Sequence, residues 1–180
     1  PTTLCIDPDS VETLIDSSTR AIVPVHYAGL AADMNGLRQI VDRREDVHLV
    51  EDNAHGLFGS HRGRPLGSFG RFSALSFHET KNFSCGEGGA LVINEDHDID
   101  RAHVLYDKGT NRSAFLRGEV DHYTWVDQGS SFGMSDLLAA FLLGQLEERP
   151  KVMAKRKALF NRYHRSLSPL QQHLGFRVPV

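Results

Sequence analysis

Short apolar runs alternate with amphipathic segments along the first part of the chain. A helix is predicted to begin at Asp7, because an acidic cap followed by proline and by apolar residues at helical spacing is typical of a helix start. Apolar runs of strand length follow at residues 20–26 and 47–50, and between them Asp33 caps a helix that extends to about Arg44. Strand, helix and strand at this spacing form a βαβ unit, which predicts a parallel sheet covered by helices.

The next part of the chain combines a glycine-rich stretch with two further strands. Residues 57–71 carry four glycines and a proline, which predicts loops and a short hairpin. Apolar residues at 72–77 and 89–93 then predict two strands, and the chain between them is polar and rich in glycine. The expected fold class is therefore α/β, with a mostly parallel sheet flanked by helices.

The last part of the chain is predicted to be helical around one irregular segment. The periodicity of apolar residues predicts helices at residues 95–106, 137–146 and 151–167. Residues 108–133 show no clear periodicity, and a loop of this length in a compact domain is usually functional or disordered. Its aromatic residues argue against disorder.

Composition narrows the classes of function. The 180 residues suffice for one full domain, and a net charge of −3 gives no support for nucleic-acid binding. No apolar run approaches membrane-spanning length, so no membrane segment is expected. With only Cys5 and Cys85, a disulfide framework is not expected, and a reducing cytoplasm is the predicted compartment. The chain opens at Pro1 without a methionine, which indicates a fragment.

One lysine, Lys81, lies on the polar glycine-rich loop between the strands at 72–77 and 89–93. Because the flanking strands hold this loop against the core, the lysine is expected to be partly desolvated, which makes the neutral amine available as a nucleophile. The alternative is an ordinary solvated loop lysine. The residues that accompany Lys81 favour the chemical interpretation.

Three polar groups are expected to meet at one edge of the sheet. Ligands of parallel sheets collect at the carboxyl ends of the strands, where Asp52 ends one strand and Ser76 and Lys81 end or follow another. An amine, a hydroxyl suited to a phosphate and a carboxylate suited to a protonated ring nitrogen are the parts that pyridoxal phosphate demands. Taken singly, Asp52 could be a helix cap, Ser76 a strand-end hydroxyl and Lys81 a surface charge.

Four sequence blocks together resemble a known family. They are EDNAHG at 51–56, GRPLGSFG at 63–70, SFHETKN at 76–82 and GEGG at 86–89. The chain resembles the sugar-nucleotide aminotransferases of the DegT/DnrJ/EryC1/StrS family over essentially all of its length. The resemblance implies a pyridoxal-phosphate enzyme of fold type I, with a large cofactor-binding domain, that typically forms homodimers.

The resemblance implies a role for each of four residues. Lys81 would form the internal aldimine with the cofactor aldehyde, and after release it would move a proton as general base and then acid. Asp52 would pair with the pyridinium nitrogen and keep it protonated. His55 matches the position where the family has Gln or His near the ring, and Ser76 would bond to the cofactor phosphate.

A further set of blocks indicates the substrate. KGTNRS at 108–113, VDHYTW at 120–125 and GSS at 129–131 are similar to the family branch that makes dTDP-4-amino-4,6-dideoxygalactose. The resemblance implies transfer of an amino group from glutamate to C4 of dTDP-4-keto-6-deoxyglucose. The candidate residues for binding that sugar nucleotide are Asn111, Arg112, Arg117, Tyr123 and Trp125. A loop that merely packs at a dimer interface is the alternative for each of them.

The family's members are about twice this length. Residues 1–149 would be the central part of the large domain, truncated at both ends, and residues 150–180 a long helix and the start of the small C-terminal domain. The missing front part would carry the helix N-terminus that cradles the cofactor phosphate. A truncated, inactive homologue that serves as a dimerising or ligand-binding module is therefore a second interpretation.

Other enzyme classes find no support in the sequence. No His-Glu-x-x-His or Cys-x-x-Cys spacing occurs among the ten histidines and two cysteines, so no metal site is expected. No serine-hydrolase elbow, Walker loop or dinucleotide fingerprint is present. Some members of the resembled family dehydrate the sugar and carry histidine in place of the lysine, and Lys81 argues against that activity.

Overall fold

A four-stranded sheet forms the centre of the computed structural model, which describes residues 3–178. Its strands are β1 (Ala21–Ile22), β2 (His48–Asp52), β5 (Phe72–Ser76) and β6 (Gly89–Ile93), in the order β1-β2-β5-β6. The pairs β1–β2 and β2–β5 are parallel, whereas β5–β6 is antiparallel. The predicted α/β fold with a mostly parallel sheet is therefore confirmed.

The first strand is shorter than the apolar run at 20–26 predicts. Regular pairing stops at Ile22, and Pro24, which has no N–H to donate, follows shortly after. The chain nevertheless continues alongside β2, because the Asp52 N–H donates to the Pro24 carbonyl at 2.9 Å and the His26 N–H donates to the Asp52 carbonyl at 3.1 Å. This extension brings His26 to the end of β2.

Two strands between β2 and β5 form the predicted hairpin. Strands β3 (Ser60–His61) and β4 (Arg64–Pro65) pair antiparallel around a two-residue turn at Arg62 and Gly63. Both turn residues have positive φ, 50° and 82°, which is the geometry of a type I′ turn. Its twist matches that of the paired strands, so the local sequence sets the register of this hairpin.

Two helices cover one face of the sheet. Helix α1 (Pro8–Leu14) begins at the predicted Asp7 cap, and α2 (Met34–Val41) begins where the Asp33 side chain accepts the Gly36 N–H. Helix α2 ends three residues before the predicted end at Arg44. The buried core on this face consists of Val11, Ile22, Ala32, Met34, Leu37, Ile40, Val47, Leu49, Leu66 and Phe69.

The remaining helices are α3 (Ile99–Tyr106), α4 (Arg112–Leu116), α5 (Asp136–Glu147), α6 (Arg149–Leu167) and α7 (Gln171–Leu174). Helix α3 follows a 3₁₀ turn, so the predicted helix at 95–106 is present in two parts. Helix α4 lies inside the segment for which no regular structure is predicted, because five residues are too few to show a helical period. Within residues 3–178, no helix has the length and hydropathy needed to span a membrane.

A second, smaller core lies beneath the loop that carries Lys81. It contains the buried side chains of Phe77, Phe83, Cys85 and Leu142. Helix α6 also attaches here, since Val152 packs against this cluster and the Arg149 guanidinium lies 3.9 Å from the centroid of the Phe58 ring. The loop therefore has its own apolar support, separate from the core under α1 and α2.

Candidate active site

The strand register brings the predicted acid and hydroxyl to one face of the sheet. Asp52 pairs with Ala74, and Ser76 lies two residues further along β5, so the side chains of Asp52 and Ser76 share a face. Both residues are half-buried. Diagonal neighbours on adjacent strands are about 7–8 Å apart, which is within reach of one small bound molecule.

The backbone around Asp52 is fixed on both sides. Its N–H and carbonyl pair with the extension of β1, and the following N–H, that of Asn53, donates to the Ala74 carbonyl at 2.9 Å. One carboxylate oxygen of Asp52, Oδ1, accepts the Ala54 N–H at 3.1 Å. Within residues 3–178 the other oxygen, Oδ2, has no hydrogen-bond partner, so it is available to a ligand.

The loop that carries Lys81 is held at its base. The Phe77 N–H donates to Gly88 and the Cys85 N–H donates to Phe77, at 2.8 and 2.9 Å, which closes the loop like a hairpin. Gln145 of α5 clamps the main chain of Ser84, accepting its N–H at 3.2 Å and donating to its carbonyl. These contacts leave the half-buried Lys81 side chain at the tip, and none of the described acidic residues forms an ion pair with it.

A cavity of about 200 Å³ brings Lys81 and His55 together. Its remaining lining comes from Ala28, Ala54, Thr80 and Asn82. Asp52 and Ser76 do not line this cavity directly, although Asp52 is bonded to Ala54 in its wall. The Ser76 Oγ accepts the His78 N–H at 3.4 Å, so it lies at the start of the loop that carries the lysine.

A buried charged residue near the site that the sequence pattern does not single out is Glu51. Its side chain is fully buried on the opposite face of β2 from Asp52, where it accepts hydrogen bonds from His26 and from the backbone N–H groups of Gly67, Phe69 and Gly70, at 2.7–3.0 Å. Burial raises the pKa of Glu51, but these four bonds outweigh it and hold the pKa below the ordinary value of 4.5. Alternation along β2 could have revealed it, because Glu51 falls two residues after the buried Leu49.

The side chains of two of the five predicted substrate residues form hydrogen bonds within the protein. The Asn111 amide donates to the His122 carbonyl and accepts the Thr124 N–H, each at 2.8 Å, which ties α4 to the following loop. Arg117 pairs with Glu119 and Asp100, and these bonds raise the pKa of its guanidinium. Both residues line a separate cavity of about 210 Å³.

The other three substrate candidates are exposed. Arg112, Tyr123 and Trp125 lie on the surface, and 78% of Trp125 is accessible to solvent. None of the five candidates lines the cavity of Lys81. Their role in substrate binding stays a prediction.

One large groove contains none of the predicted site residues. It has a volume of about 650 Å³ and lies between α3 and the uncovered face of β5 and β6. Its walls are mostly apolar, from side chains such as Phe72, Leu91 and Phe132. The predicted amine and imidazole line the smaller cavity instead.

One group of metal-binding residue types occurs in the described part of the chain. Glu95, His97 and Asp98 offer ligand atoms within 4.8 Å of one another. However, the Arg71 guanidinium forms a bidentate pair with Asp98 at 2.5 and 2.6 Å, and this pair lowers the pKa of Asp98. A cation there would have to displace Arg71, so the cluster is an ion-pair network that ties α3 to β5.

The chain resembles known proteins in both sequence and fold. The model of the DegT/DnrJ/EryC1/StrS aminotransferase family matches residues 1–179. The chain is similar to the aminotransferase from Psychrobacter cryohalolentis, with 28% identity and a TM-score of 0.89 over 99% of this chain and 46% of that one. It is also similar to PseC from Helicobacter pylori, an aminotransferase of pseudoaminic acid biosynthesis, with 26% identity and a TM-score of 0.84 over 93% of this chain and 43% of that one.

A third similar structure was solved with its cofactor. It is the PLP form of Spr1654 from Streptococcus pneumoniae, described as a sugar aminotransferase, with 27% identity and a TM-score of 0.78 over 91% of this chain and 45% of that one. The chain thus spans less than half the length of each of these three proteins.

Proposed function

Because the chain belongs to the DegT/DnrJ/EryC1/StrS aminotransferase family, we propose that it takes part in the pyridoxal-phosphate-dependent amination of a sugar nucleotide. One observation carries this proposal. Lys81 and His55 line the same cavity, and the carboxylate of Asp52 is bonded to Ala54 in its wall. Lys81 supplies an amine, Asp52 a carboxylate with one oxygen that has no partner among the described residues, and Ser76 a hydroxyl. These three groups fit the chemistry of that cofactor.

The residues present would hold the cofactor through complementary charges. Asp52 would pair with the protonated ring nitrogen through its free oxygen, and its fixed backbone would keep the carboxylate in place. Ser76 would donate its hydroxyl proton to the phosphate. When bound, pyridoxal phosphate supplies a ring that accepts the electron pair left at the substrate carbon.

Lys81 would hold the cofactor through its amine and then move the proton. The lysine amine would take the proton from the α-carbon of the amino donor as a general base. As a general acid it would then return that proton to the aldehyde carbon of the cofactor. The base of the loop, held by Gln145 and the second core, would keep this amine in place for both proton transfers.

The proposed substrates rest on the resemblance of residues 108–131 to one branch of the family. We assign dTDP-4-keto-6-deoxyglucose as acceptor, dTDP-4-amino-4,6-dideoxygalactose as product and glutamate as donor, with Asn111, Arg112, Arg117, Tyr123 and Trp125 as the substrate-binding set. The proposal includes a homodimer in the cytoplasm, where the free thiols of Cys5 and Cys85 remain reduced. It also assigns residues 1–149 to the large domain and 150–180 to the start of the small domain.

A covalent trapping experiment tests the proposal. The protein is incubated with pyridoxal phosphate and reduced with borohydride, and the modified residue is identified by peptide mass spectrometry. We expect the adduct on Lys81 and none in Lys81→Ala. Lys151→Ala is the matched control, because Lys151 lies on the surface in an ion pair with Glu148 and its loss should leave the adduct intact. An adduct distributed over surface lysines would contradict the assignment.

A second candidate function is a non-catalytic module that dimerises or binds a ligand. The exposed apolar face of α5, where Leu137 is 84% and Phe141 62% accessible, favours this alternative. An absorbance scan separates the two functions. A cofactor band that shifts when glutamate is added supports transamination, whereas no band at saturating pyridoxal phosphate supports the module.

A further inference from the structure

The backbone of the segment Tyr27–Gly29 holds the ring of His55. The Ala28 N–H donates a hydrogen bond to Nδ1 of His55 at 3.2 Å. The Tyr27 ring packs edge-on against the imidazole, with centroids 5.7 Å apart and an angle of 68° between the planes. The ring is therefore fixed by a main-chain donor and an aromatic neighbour, and its orientation does not depend on a ligand.

The segment adopts an uncommon backbone conformation to make this contact. Ala28 has φ of 53° and Gly29 has φ of 84°, and a non-glycine residue in the left-handed region is uncommon. Two further bonds enforce the turn, from the Gly29 N–H to His26 and from the Leu30 N–H to Tyr27, both at 3.0 Å. A Cβ atom on Gly29 would lie 3.2 Å from the His55 carbonyl oxygen, so the two segments are in direct backbone contact.

This contact decides which ring nitrogen carries the proton. A nitrogen that accepts an N–H must present its lone pair, so in the neutral ring of His55 the proton sits on Nε2. Within residues 3–178, Nε2 has no hydrogen-bond partner, and the residue lines the cavity that contains Lys81. We propose that Tyr27–Gly29 is a positioning segment that fixes His55 as the Nε2-protonated tautomer, so that His55 donates a hydrogen bond to an oxygen of the molecule bound in that cavity.

The histidine directly before this segment, His26, shows the same arrangement with its ring N–H already bonded within the protein. His26 accepts the Ala32 N–H at Nδ1, at 3.2 Å, and its Nε2 lies 3.0 Å from the Glu51 carboxylate. His26 is completely buried, so both of its nitrogens are used within the protein. In His55 the same contact at Nδ1 leaves the proton on Nε2, where it can bond to a ligand. Because His55 donates a hydrogen bond here and does not accept a proton, Lys81 alone transfers protons. This division of roles rests on the proposed function.

The tautomer can be measured in the ligand-free protein. Histidine labelled with ¹⁵N gives long-range nitrogen–proton correlations whose pattern differs between the two neutral tautomers, and comparison with His55→Gln identifies the signals of this ring. We expect the Nε2-protonated pattern at neutral pH, retained in Ala28→Gly, which keeps the N–H and tolerates the positive φ. An Nδ1-protonated ring would overturn the proposal.

Two substitutions separate the functions of the two ring nitrogens. In His55→Asn the amide can place an acceptor near the Nδ1 position but offers no donor at Nε2, whereas in His55→Gln the longer amide can place a donor near Nε2. We expect the Kd for pyridoxal phosphate to rise roughly tenfold in the Asn variant and less than threefold in the Gln variant, since one hydrogen bond contributes on that order. Thermal melting of both variants checks that each is folded.

The outcomes distinguish this inference from the proposed function. A Gln variant that binds the cofactor more weakly than the Asn variant would overturn the donor role of His55. If the folded wild-type protein binds no pyridoxal phosphate at any concentration, the proposed function fails, and the donor role toward that cofactor fails with it. The nitrogen correlations still decide the tautomer in that case, because they are recorded without a ligand.

Discussion

At the scale of single residues, the buried Glu51 organises the structure around the candidate site. A carboxylate transferred from water to the interior is costly unless its oxygens accept hydrogen bonds, and here four donors from two separate segments satisfy them. The residue thereby connects the extension of β1, the loop at 67–70 and β2. Asp52, the next residue, takes its position from a strand that is fixed at this point.

We expect Glu51→Gln to destabilise the protein although the side chain keeps its shape. Each carboxylate oxygen faces two donors, so the amide NH₂ of glutamine would meet N–H groups in either orientation. The expected loss is about 3 kcal/mol of the free energy of unfolding, measured by urea denaturation. Glu45→Gln, at an exposed position, is the control and should change little. Equal effects of the two substitutions would contradict the role of Glu51.

The same carboxylate predicts a dependence of stability on pH. The folded-state pKa of Glu51 lies below 4.5, so its contribution is complete above that pH and is lost as the pH falls through the folded-state pKa. We expect wild-type stability to decline more steeply below 4.5 than that of Glu51→Gln, which has no proton to bind there. Urea midpoints collected across this range measure the difference, and parallel curves would contradict the prediction.

At the scale of elements, the loop that carries Lys81 depends on a contact from α5. Gln145 satisfies both main-chain groups of Ser84, and Phe83 fills the second core beside it. The loop has few other anchors beyond its closing bonds. Its stability is therefore set locally and need not follow the stability of the sheet.

We expect Gln145→Ala to increase the opening of this loop. Loss of the two hydrogen bonds corresponds to about 1–2 kcal/mol, which is roughly a tenfold rise in hydrogen exchange at the Ser84 and Cys85 amides. In Gln145→Glu the carboxylate can still accept but cannot donate, so a partial effect is expected. Gln39→Ala, on the exposed face of α2, is the control. Unchanged exchange in both Gln145 variants would show that the clamp is dispensable.

Elements with local signals could be predicted from the sequence. The hairpin follows from Arg62-Gly63 and the α2 start from Asp33. The βαβ order accounts for the shared face of Asp52 and Ser76, whereas His55 is identified only through the family resemblance. The Glu51 network could not be predicted, since its partners lie 16 to 25 residues away along the chain. The left-handed turn at Ala28 likewise depends on tertiary contacts, and alanine gives no signal for it.

At the scale of the whole molecule, much apolar surface is uncovered. Helix α5 is apolar on nearly all sides, yet Leu142 is its only buried residue, and an all-apolar helix is normally enclosed. One face of β5 and β6 is also open toward α3. Sheets with parallel strands normally have both faces covered, so these surfaces are suited to contact further polypeptide.

We expect this surface to drive self-association through α5. Phe141→Glu places a charge on its exposed face, and we expect sedimentation velocity to show a shift toward monomer because burial of a phenylalanine contributes about 1.5–3 kcal/mol. Leu14→Glu is the matched control, since Leu14 is 79% exposed on α1. If both variants associate like the wild type, the dimer contact lies elsewhere.

The two cysteines give the protein a built-in reporter of the loop that carries Lys81. Cys85 lies only four residues after Lys81 and is 3% exposed, whereas Cys5 is half-exposed near the N-terminus. A thiol reagent should therefore label the protein in two phases, with the slow phase limited by the opening of the loop around Lys81. Any molecule that bridges Lys81 and the cavity wall should slow that phase and leave the fast one unchanged. Labelling kinetics would thus detect occupancy of the site without requiring turnover.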